Sequence, residues 1–385
     1  MKIMINKRSI KLVLFYIFML FSYFQFDSLN YLYTPLLSVY KFFHYISFFI
    51  ILILFIQNRK FSKIIIYMML YLIILFFASI FNGQSISQIL NYLITIISLC
   101  LITDYGIRNH TKEYLTALAT ILNFLMIINF ITIILYPNGM YINSTGYKQN
   151  WILGYKNSHI LYLLPCVIVN FILSFKNRGK LNIKSYIIFA ICFISILSVN
   201  SSTGIVGFLI ILLYLIFKKF VDKVNIINGY SSLFIYLLSF VSIMILKVQN
   251  LFKFLIVDIL KKDLTFTGRT YIWDSVLKSI KIHPLIGYGN VTYQYNKYIF
   301  TTHNTILDIL YKTGILGFVT YILILFETSK TLYNNRNDKT SKFLTVVLLS
   351  YFIIMLTEAY NISYYFFILV ICNNIKYLKG SVNNE

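Results

Sequence analysis

Long apolar runs separated by short polar segments recur along the whole chain of 385 residues. A run such as YISFFIILILFI is continuously apolar, whereas a membrane β-strand would alternate apolar and polar positions. About twelve segments approach the roughly 20 residues that a helix needs to cross a bilayer. They lie near residues 9–26, 42–56, 64–81, 87–103, 114–136, 159–175, 185–199, 203–217, 231–247, 304–327, 343–357 and 362–377. The pattern predicts an all-α polytopic integral membrane protein with about 12 transmembrane helices.

The composition agrees with a membrane protein, because 59% of the residues are hydrophobic and only 12% are charged. A soluble domain would carry roughly a quarter charged residues. The cysteines imply neither disulfides nor a metal site, since each lies inside an apolar run without CxxC spacing. They are Cys100, Cys166, Cys192 and Cys372.

The net charge of +22 raises the alternative of nucleic-acid binding. With the N-terminus placed inside, however, 22 of the 34 basic residues fall in inside segments, and the short outside loops hold only Lys41, Lys148 and Lys156. This asymmetry follows the positive-inside rule and predicts that both termini are cytoplasmic. It also explains the charge without nucleic acid. The bias towards Ile, Asn and Lys suggests a bacterial host, so the membrane would be the plasma membrane of a bacterium.

Residues 248–303 form the one long connection, between the ninth and tenth predicted spans, and the topology places it outside. Loops of this length usually carry function. Its sequence predicts two short helices, NLFKFLIVDILKK and TGRTYIWDSVLKSIKIH, followed by a turn at Pro284, Gly287 and Gly289. We therefore interpret residues 1–385 as a single transmembrane domain with this large extracytoplasmic loop inserted.

Polar side chains that could do chemistry gather on the predicted outer side. Each also has a structural interpretation: a solvated loop arginine, a capping histidine, a membrane-surface tryptophan, a helix-surface ion pair. The candidates are Arg269, Trp273, His303, Asn304, Lys156, Asn157, the hydroxyls of residues 198–204, and the pair Asp308 and Lys312.

Arg269 and His303 suit an anionic leaving group. Arginine binds phosphate oxygens through two parallel hydrogen bonds, and histidine donates, accepts or titrates near neutral pH. His303 also stands at the start of a predicted helix, where free N–H groups and the helix dipole favour an anion.

The order of these residues resembles the O-antigen ligase and Wzy-type polysaccharide polymerase superfamily over roughly residues 145 to 325. The resemblance also includes GYKN, residues 154–157, ahead of the sixth span. The motifs GR-x-x-x-W, P-L-x-G-x-G and H-N-x-x-L-x-x-x-x-x-x-G-x-x-G are present as Gly268-Arg269, Trp273, Pro284-Leu285, Gly287, Gly289, His303-Asn304, Leu307, Gly314 and Gly317.

The resemblance implies a metal-independent glycosyltransferase without a cofactor, acting on glycans carried by undecaprenyl diphosphate at the outer face of the membrane. A polymerase joins lipid-linked repeat units into O-antigen, capsule or exopolysaccharide; a ligase transfers the finished glycan to another acceptor. The modest length of the chain favours the polymerase. Donor and acceptor lipids, membrane lipids, a chain-length regulator and a flippase would be its partners.

By the same resemblance, Arg269 would hold the diphosphate, and His303 would act as general base or as hydrogen-bond donor to the diphosphate. Asn304 would orient His303. The further substrate-binding candidates are Lys156, Asn157, Trp273, Ser201 and Ser202. Family members commonly have a second arginine where this chain has Ser202 or Thr203, so either Lys148 or Lys156 would replace it or the second cation would come from the large loop.

Two other functions remain as alternatives. A lipid-linked oligosaccharide flippase would need charges along a central path, whereas the spans here hold almost no ionisable residues. A phosphosugar transferase would need outer acidic residues near the first span, where only Asp27 lies. No close pair of acids suggests a glycosidase-like double carboxylate either, which favours a direct inverting transfer.

Overall fold

The computed structural model describes residues 7–33, 35–58, 61–143, 146–248, 269–295 and 298–379. Within these ranges the chain forms sixteen α-helices joined mostly by short turns. They are α1 Lys7–Leu20, α2 Leu29–Leu32, α3 Pro35–Asn58, α4 Lys63–Phe81, α5 Ile86–Asn109, α6 Thr111–Leu135, α7 Ile160–Arg178, α8 Ile183–Ser198, α9 Ser202–Ile216, α10 Lys218–Lys223, α11 Gly229–Phe240, α12 Arg269–Ile282, α13 Thr305–Asn334, α14 Lys339–Met355, α15 Ile362–Asn373 and α16 Ile375–Leu378.

Every predicted span coincides with one of these helices, and the chain is a multi-pass helical membrane protein. Six described helices are long and apolar enough to cross a membrane by themselves, namely α3, α4, α5, α6, α7 with the turn before it, and α13. Four others are apolar but shorter, namely α8, α9, α11 with its π-helical extension Val241–Ile245, and α15. The count of twelve spans stays a prediction.

The centre of the bundle is formed by α7 and α15, whose side chains are buried on nearly every side. A helix that is apolar all round needs such a position. Around them, α4 packs against α13, α5 against α15, and α14 against α9 and α11. The outermost helix, α3, instead exposes large apolar side chains such as Phe42, Phe49 and Ile53, as expected for a surface that contacts lipid.

The glycine-containing turn after α12 fits into a kink of α13. Gly314 has φ 60° and ψ −161°, which interrupts the helix. The N–H groups of Tyr288 and Gly289 donate to the carbonyls of Tyr311 and Lys312, at 2.9 and 2.8 Å. A Cβ at Gly314 would lie 2.3 Å from the carbonyl carbon of Leu285. The predicted turn is confirmed, and it packs against the N-terminal half of α13.

Two short antiparallel hairpins depart from the all-α prediction. Strand β1, Asn150–Trp151, pairs with β2, Gly154–Tyr155, directly before α7. Strand β3, Tyr293–Tyr295, pairs with β4, Tyr298–Phe300, before α13. The second helix predicted in the long connection is present as α12. The first, NLFKFLIVDILKK, lies outside the described residues.

Candidate active site

The side chain of Glu358, in the connection between α14 and α15, is the point where several distant segments meet. Its Oε1 accepts hydrogen bonds from Arg269 Nη2 at 2.9 Å, Asn157 Nδ2 at 3.0 Å and Thr203 Oγ1 at 3.1 Å. The residue is only 7% exposed. A buried carboxylate requires such partners, because a charge removed from water is costly unless it is paired and hydrogen-bonded.

Arg269 is the first described residue of α12, and its side chain is 19% exposed. Besides the ion pair with Glu358, its Nη1 donates to the backbone carbonyl of Thr357. A guanidinium has five N–H donors, so two bonds to one loop hold the group in place without using its full capacity. The arrangement leaves a cation with fixed orientation near the surface.

His303 lies beside the same carboxylate. Its Nδ1 is 3.8 Å from Glu358 Oε2, longer than a hydrogen bond, and has no hydrogen-bond partner among the described residues. The side chain is 29% exposed, and the backbone has φ 48°. Non-glycine residues in this left-handed region are uncommon, although histidine is among those enriched there. The conformation turns the imidazole towards Glu358 immediately before α13 begins.

Asn304 and Trp273 hold the backbone around His303. The Oδ1 of Asn304 accepts from the N–H of Leu307 at 3.0 Å, which caps α13, and its Nδ2 donates to the carbonyl of Leu356 at 3.0 Å. The indole N–H of Trp273 donates to the carbonyl of Thr302 at 3.1 Å. Both side chains are buried. Their bonds position His303, and a direct contact of either residue with substrate stays a prediction.

Asn157 and Ser201 belong to the same hydrogen-bond network. The Oγ of Ser201 donates to Asn157 Oδ1 at 3.0 Å, and the hydroxyl of Tyr360 donates to the Asn157 carbonyl at 2.8 Å. Ser201 also caps α9 by accepting from the N–H of Gly204 at 3.3 Å. The segments before α7 and α9 therefore reach Glu358 through amide and hydroxyl groups.

Three other candidates lie apart from this network. Ser202 is exposed at the first position of α9, and its neighbour Thr203 makes the bond to Glu358 instead. Lys156 Nζ lies over the ring of Tyr155, 5.9 Å from its centroid, and Lys148 is exposed. Within the described ranges no hydrogen bond or ion pair links these three to Glu358. A replacement for the second arginine is therefore not assigned.

The Asp308–Lys312 pair confirms the predicted alignment on one face of α13. Lys312 Nζ lies 2.8 Å from Asp308 Oδ2. Asp308 Oδ1 also accepts from the hydroxyl of Thr302 at 3.3 Å. The ion pair thus supports the segment that precedes His303.

The electrostatics of the site favour an ionised Glu358. Burial raises the pKa of its carboxyl, but His303 and the Arg269 guanidinium outweigh burial and hold that pKa below its ordinary value. The cluster therefore contains a permanent arginine–glutamate pair beside a histidine that can add a second positive charge. No group of three His, Cys, Asp or Glu side chains in the described part of the chain could hold a metal ion.

Glu358 is the residue that sequence reasoning missed. The topology predicted from the sequence places it on the outer side, but it stands 89 positions from Arg269 in the chain. The only signal in the sequence is an acidic residue in a short connection between two apolar spans. An acid of this kind would have been a candidate partner for the arginine on the same side.

The O-antigen ligase family model matches residues 187–322. The resemblance to this family is confirmed. The matched segment contains Ser201, Ser202, Arg269, Trp273, His303 and Asn304. It ends before Glu358, and it begins after Lys156 and Asn157.

A curated relative is the "Exopolysaccharide production protein ExoQ" of Rhizobium meliloti (strain 1021), which is 28% identical over 107 residues. The alignment covers 23% of this chain and 25% of ExoQ, so the chain matches about a quarter of that relative's length. Over part of its length, the chain is thus similar both to the O-antigen ligase family and to a protein of exopolysaccharide production.

Proposed function

We propose that this protein polymerises oligosaccharide repeat units carried by undecaprenyl diphosphate, at the outer face of the bacterial cytoplasmic membrane. The observation that carries the proposal is the convergence of Arg269 and His303 on Glu358. Arg269 lies within the predicted extracytoplasmic loop and His303 at its end, and both side chains stay partly exposed. A paired cation and a histidine suit a reaction in which a diphosphate leaves.

The first step is binding of the donor. Arg269 is held by Glu358 and the Thr357 carbonyl, which leaves guanidinium N–H groups to meet diphosphate oxygens. Because the planar guanidinium group of Arg269 is already oriented, little side-chain entropy is lost when the diphosphate binds. The positive end of α13, which starts at Thr305, lies beside the same place and favours an anion.

The second step is glycosyl transfer. A hydroxyl of the acceptor sugar attacks the anomeric carbon of the donor sugar; a new C–O bond forms and the bond to the diphosphate oxygen breaks. His303 takes the proton of the attacking hydroxyl, and the negative charge that develops on the diphosphate is stabilised by Arg269. A single displacement of this kind inverts the configuration at the anomeric carbon.

Glu358 acts on both Arg269 and His303. Its carboxylate fixes Arg269, and at 3.8 Å from Nδ1 it stabilises the imidazolium that His303 becomes. Carboxylates behind a catalytic histidine act in this way in other enzymes. The low pKa of Glu358 supports the role, because the group stays ionised throughout the neutral range.

Complementation of a gene deletion in the host tests the proposal. Wild-type and His303→Ala proteins are expressed at equal levels, and surface glycan and lipid-linked intermediates are separated on gels. We expect the deletion to accumulate single lipid-linked repeat units and to lose the polysaccharide ladder, which wild type restores and His303→Ala does not.

Other results identify the alternatives. Long glycan that stays on its lipid carrier would show that the protein is a ligase. Repeat units that accumulate on the cytoplasmic face would show that it is a flippase. A normal ladder from His303→Ala would exclude this residue from the reaction.

A further inference from the structure

A cavity of about 340 Å³ lies at the start of α15, the helix that follows the connection containing Glu358. Its walls come from the segment after α1, the first half of α3, the middle of α5 and the beginning of α15. This volume falls in the lower range of small-molecule pockets, which extends over about 300–1,000 Å³. None of the interactions proposed for the diphosphate uses this cavity.

The lining mixes polar and apolar groups and carries one cation, Lys41, but no carboxylate. Amide side chains of Gln25, Asn30 and Asn361 line the cavity together with the rings of Tyr40 and Tyr364. Amides both donate and accept hydrogen bonds, which matches the hydroxyl groups of a sugar, whereas tyrosine rings give apolar area to pack against. A hydrocarbon chain would offer the polar groups of the lining no hydrogen bond.

Three buried polar atoms of the lining have unmet hydrogen-bonding capacity. They are Ser22 Oγ, the Tyr23 hydroxyl and His44 Nε2, which find no hydrogen-bond partner in the described part of the chain, although all three residues line the cavity. Buried polar groups are nearly always hydrogen-bonded. The ring of His44 is fixed by packing on Tyr23, with centroids 4.0 Å apart, so its nitrogen keeps one direction.

The cavity is linked to the active site through the start of α15. Asn361, which caps α15, follows Glu358 by three residues, and three residues extend over at most about 11 Å. Between them, the hydroxyl of Tyr360 donates to the carbonyl of Asn157. A ligand in the cavity and a diphosphate at Arg269 can therefore belong to one extended molecule or to two adjacent ones.

We propose that this cavity binds one sugar residue of the glycan, separately from the diphosphate held at Arg269. This inference rests on the proposed function for the identity of the ligand. The amide groups, the tyrosine rings and the three unpartnered polar atoms favour a polyhydroxylated ring. The position of the cavity makes it the subsite that orients the glycan relative to His303.

Binding to the purified full-length protein in lipid nanodiscs tests the subsite with two probes. One is the repeat-unit oligosaccharide prepared by partial hydrolysis of the host's surface polysaccharide, which lacks diphosphate; the other is undecaprenyl diphosphate. The cavity variants are His44→Leu, which removes the ring nitrogens, and Thr95→Trp, which fills the space. Phe49→Leu on the exposed side of the same helix, α3, is the matched control.

We expect His44→Leu to weaken oligosaccharide binding about tenfold, the equivalent of one good hydrogen bond, and Thr95→Trp to abolish it. Both variants should bind undecaprenyl diphosphate as wild type does, and Phe49→Leu should bind both probes normally. Arg269→Ala should show the reverse pattern, with oligosaccharide binding retained.

Equal oligosaccharide affinity in wild type and both cavity variants would overturn the subsite, as would no measurable binding to wild type. Loss of undecaprenyl diphosphate binding in His44→Leu would also overturn it and identify a lipid-diphosphate site. Unchanged diphosphate affinity in Arg269→Ala would instead contradict the proposed function, whatever the oligosaccharide shows.

Discussion

Two buried carboxylates, Glu358 and Asp104, lie at opposite ends of α15 and are paired with arginine in different ways. Asp104 is fully buried; its Oδ1 accepts from Asn374 Nδ2 at 2.9 Å and Ser62 Oγ at 3.1 Å, and its Oδ2 lies 3.2 Å from Arg108 Nη1. Arg108 is one turn further along the same helix, α5.

The two clusters differ in whether the groups around the carboxylate are still available to bind a ligand. Asp104 joins the ends of α4, α5 and α15, and its arginine is a local partner four residues away, which is the usual arrangement of a structural pair. Glu358 instead gathers Arg269 and His303 from segments distant in the chain, and the His303 Nδ1 has no hydrogen bond to any residue that the structure describes. We infer that the Asp104 cluster stabilises the bundle, whereas the Glu358 cluster keeps cationic groups ready for an anion.

The two arginines give the sharpest contrast. We expect Arg269→Ala to reduce polymer formation by at least about 100-fold, because stabilisation of the leaving group is lost. Arg269→Lys should fail as well, since lysine lacks the planar fork. Arg108→Ala should keep wild-type activity per folded molecule. The measurement is the polysaccharide ladder normalised to membrane protein; normal activity in either Arg269 variant would break the comparison.

The two carboxylates themselves come next. Glu358→Gln should lower activity per folded molecule by about 10- to 100-fold, which corresponds to the loss of hydrogen bonds to a charged group. Asp104→Asn should instead lower the stability of the protein by about 1–3 kcal/mol, since buried donors lose a charged acceptor. Activity assays and thermal unfolding in detergent check both. Equal activity losses in the two variants would contradict the assignment of different roles.

A smaller effect is expected from the hydroxyl partners. Thr203→Val removes one hydrogen bond to Glu358 but keeps the shape of the side chain, and should lower activity by up to about tenfold. Ser62→Ala removes one hydrogen bond to Asp104 and should cost about 1 kcal/mol of stability with activity unchanged. Activity and thermal unfolding are measured for both variants. The two roles are separated most clearly if Thr203→Val changes only the activity and Ser62→Ala changes only the stability.

The smallest effect concerns pH. The pKa of Glu358 in the folded protein lies below its ordinary value of 4.5. Its ionised form therefore contributes stability above pH 4.5, and the contribution is lost as pH falls through the lowered pKa. The difference in unfolding temperature between wild type and Glu358→Gln should shrink as pH falls below 4.5. A difference that persists unchanged as pH falls further would contradict the ionised pair.

Much of the fold follows from local patterns in the sequence. Continuous apolar runs predict the helices, because backbone groups in lipid must be satisfied within a segment. Pro284, Gly287 and Gly289 predict the turn that enters the kink at Gly314. The hairpin β1–β2 was missed, since two-residue strands leave no periodic pattern.

The candidate site could be predicted only in part. Arg269 and His303 have side chains suited to the reaction and stand in recognisable motifs. Glu358, which contacts both of them, stands in no motif. Glu358 meets Arg269 only because the start of α13 is tied to the α14–α15 connection by Asn304 and Thr305, whose side chains donate to the carbonyls of Leu356 and Glu358. Such pairing depends on tertiary packing and has no local signal.

Reconstitution tests most directly whether the Glu358 cluster performs glycosyl transfer. The purified full-length protein is placed in vesicles with lipid-linked repeat units, and glycan length and released undecaprenyl diphosphate are measured together. Wild type should form a ladder and release one diphosphate lipid for each bond made, whereas folded His303→Ala should do neither. A ladder from His303→Ala equal to that of wild type would contradict the assignment of the active site.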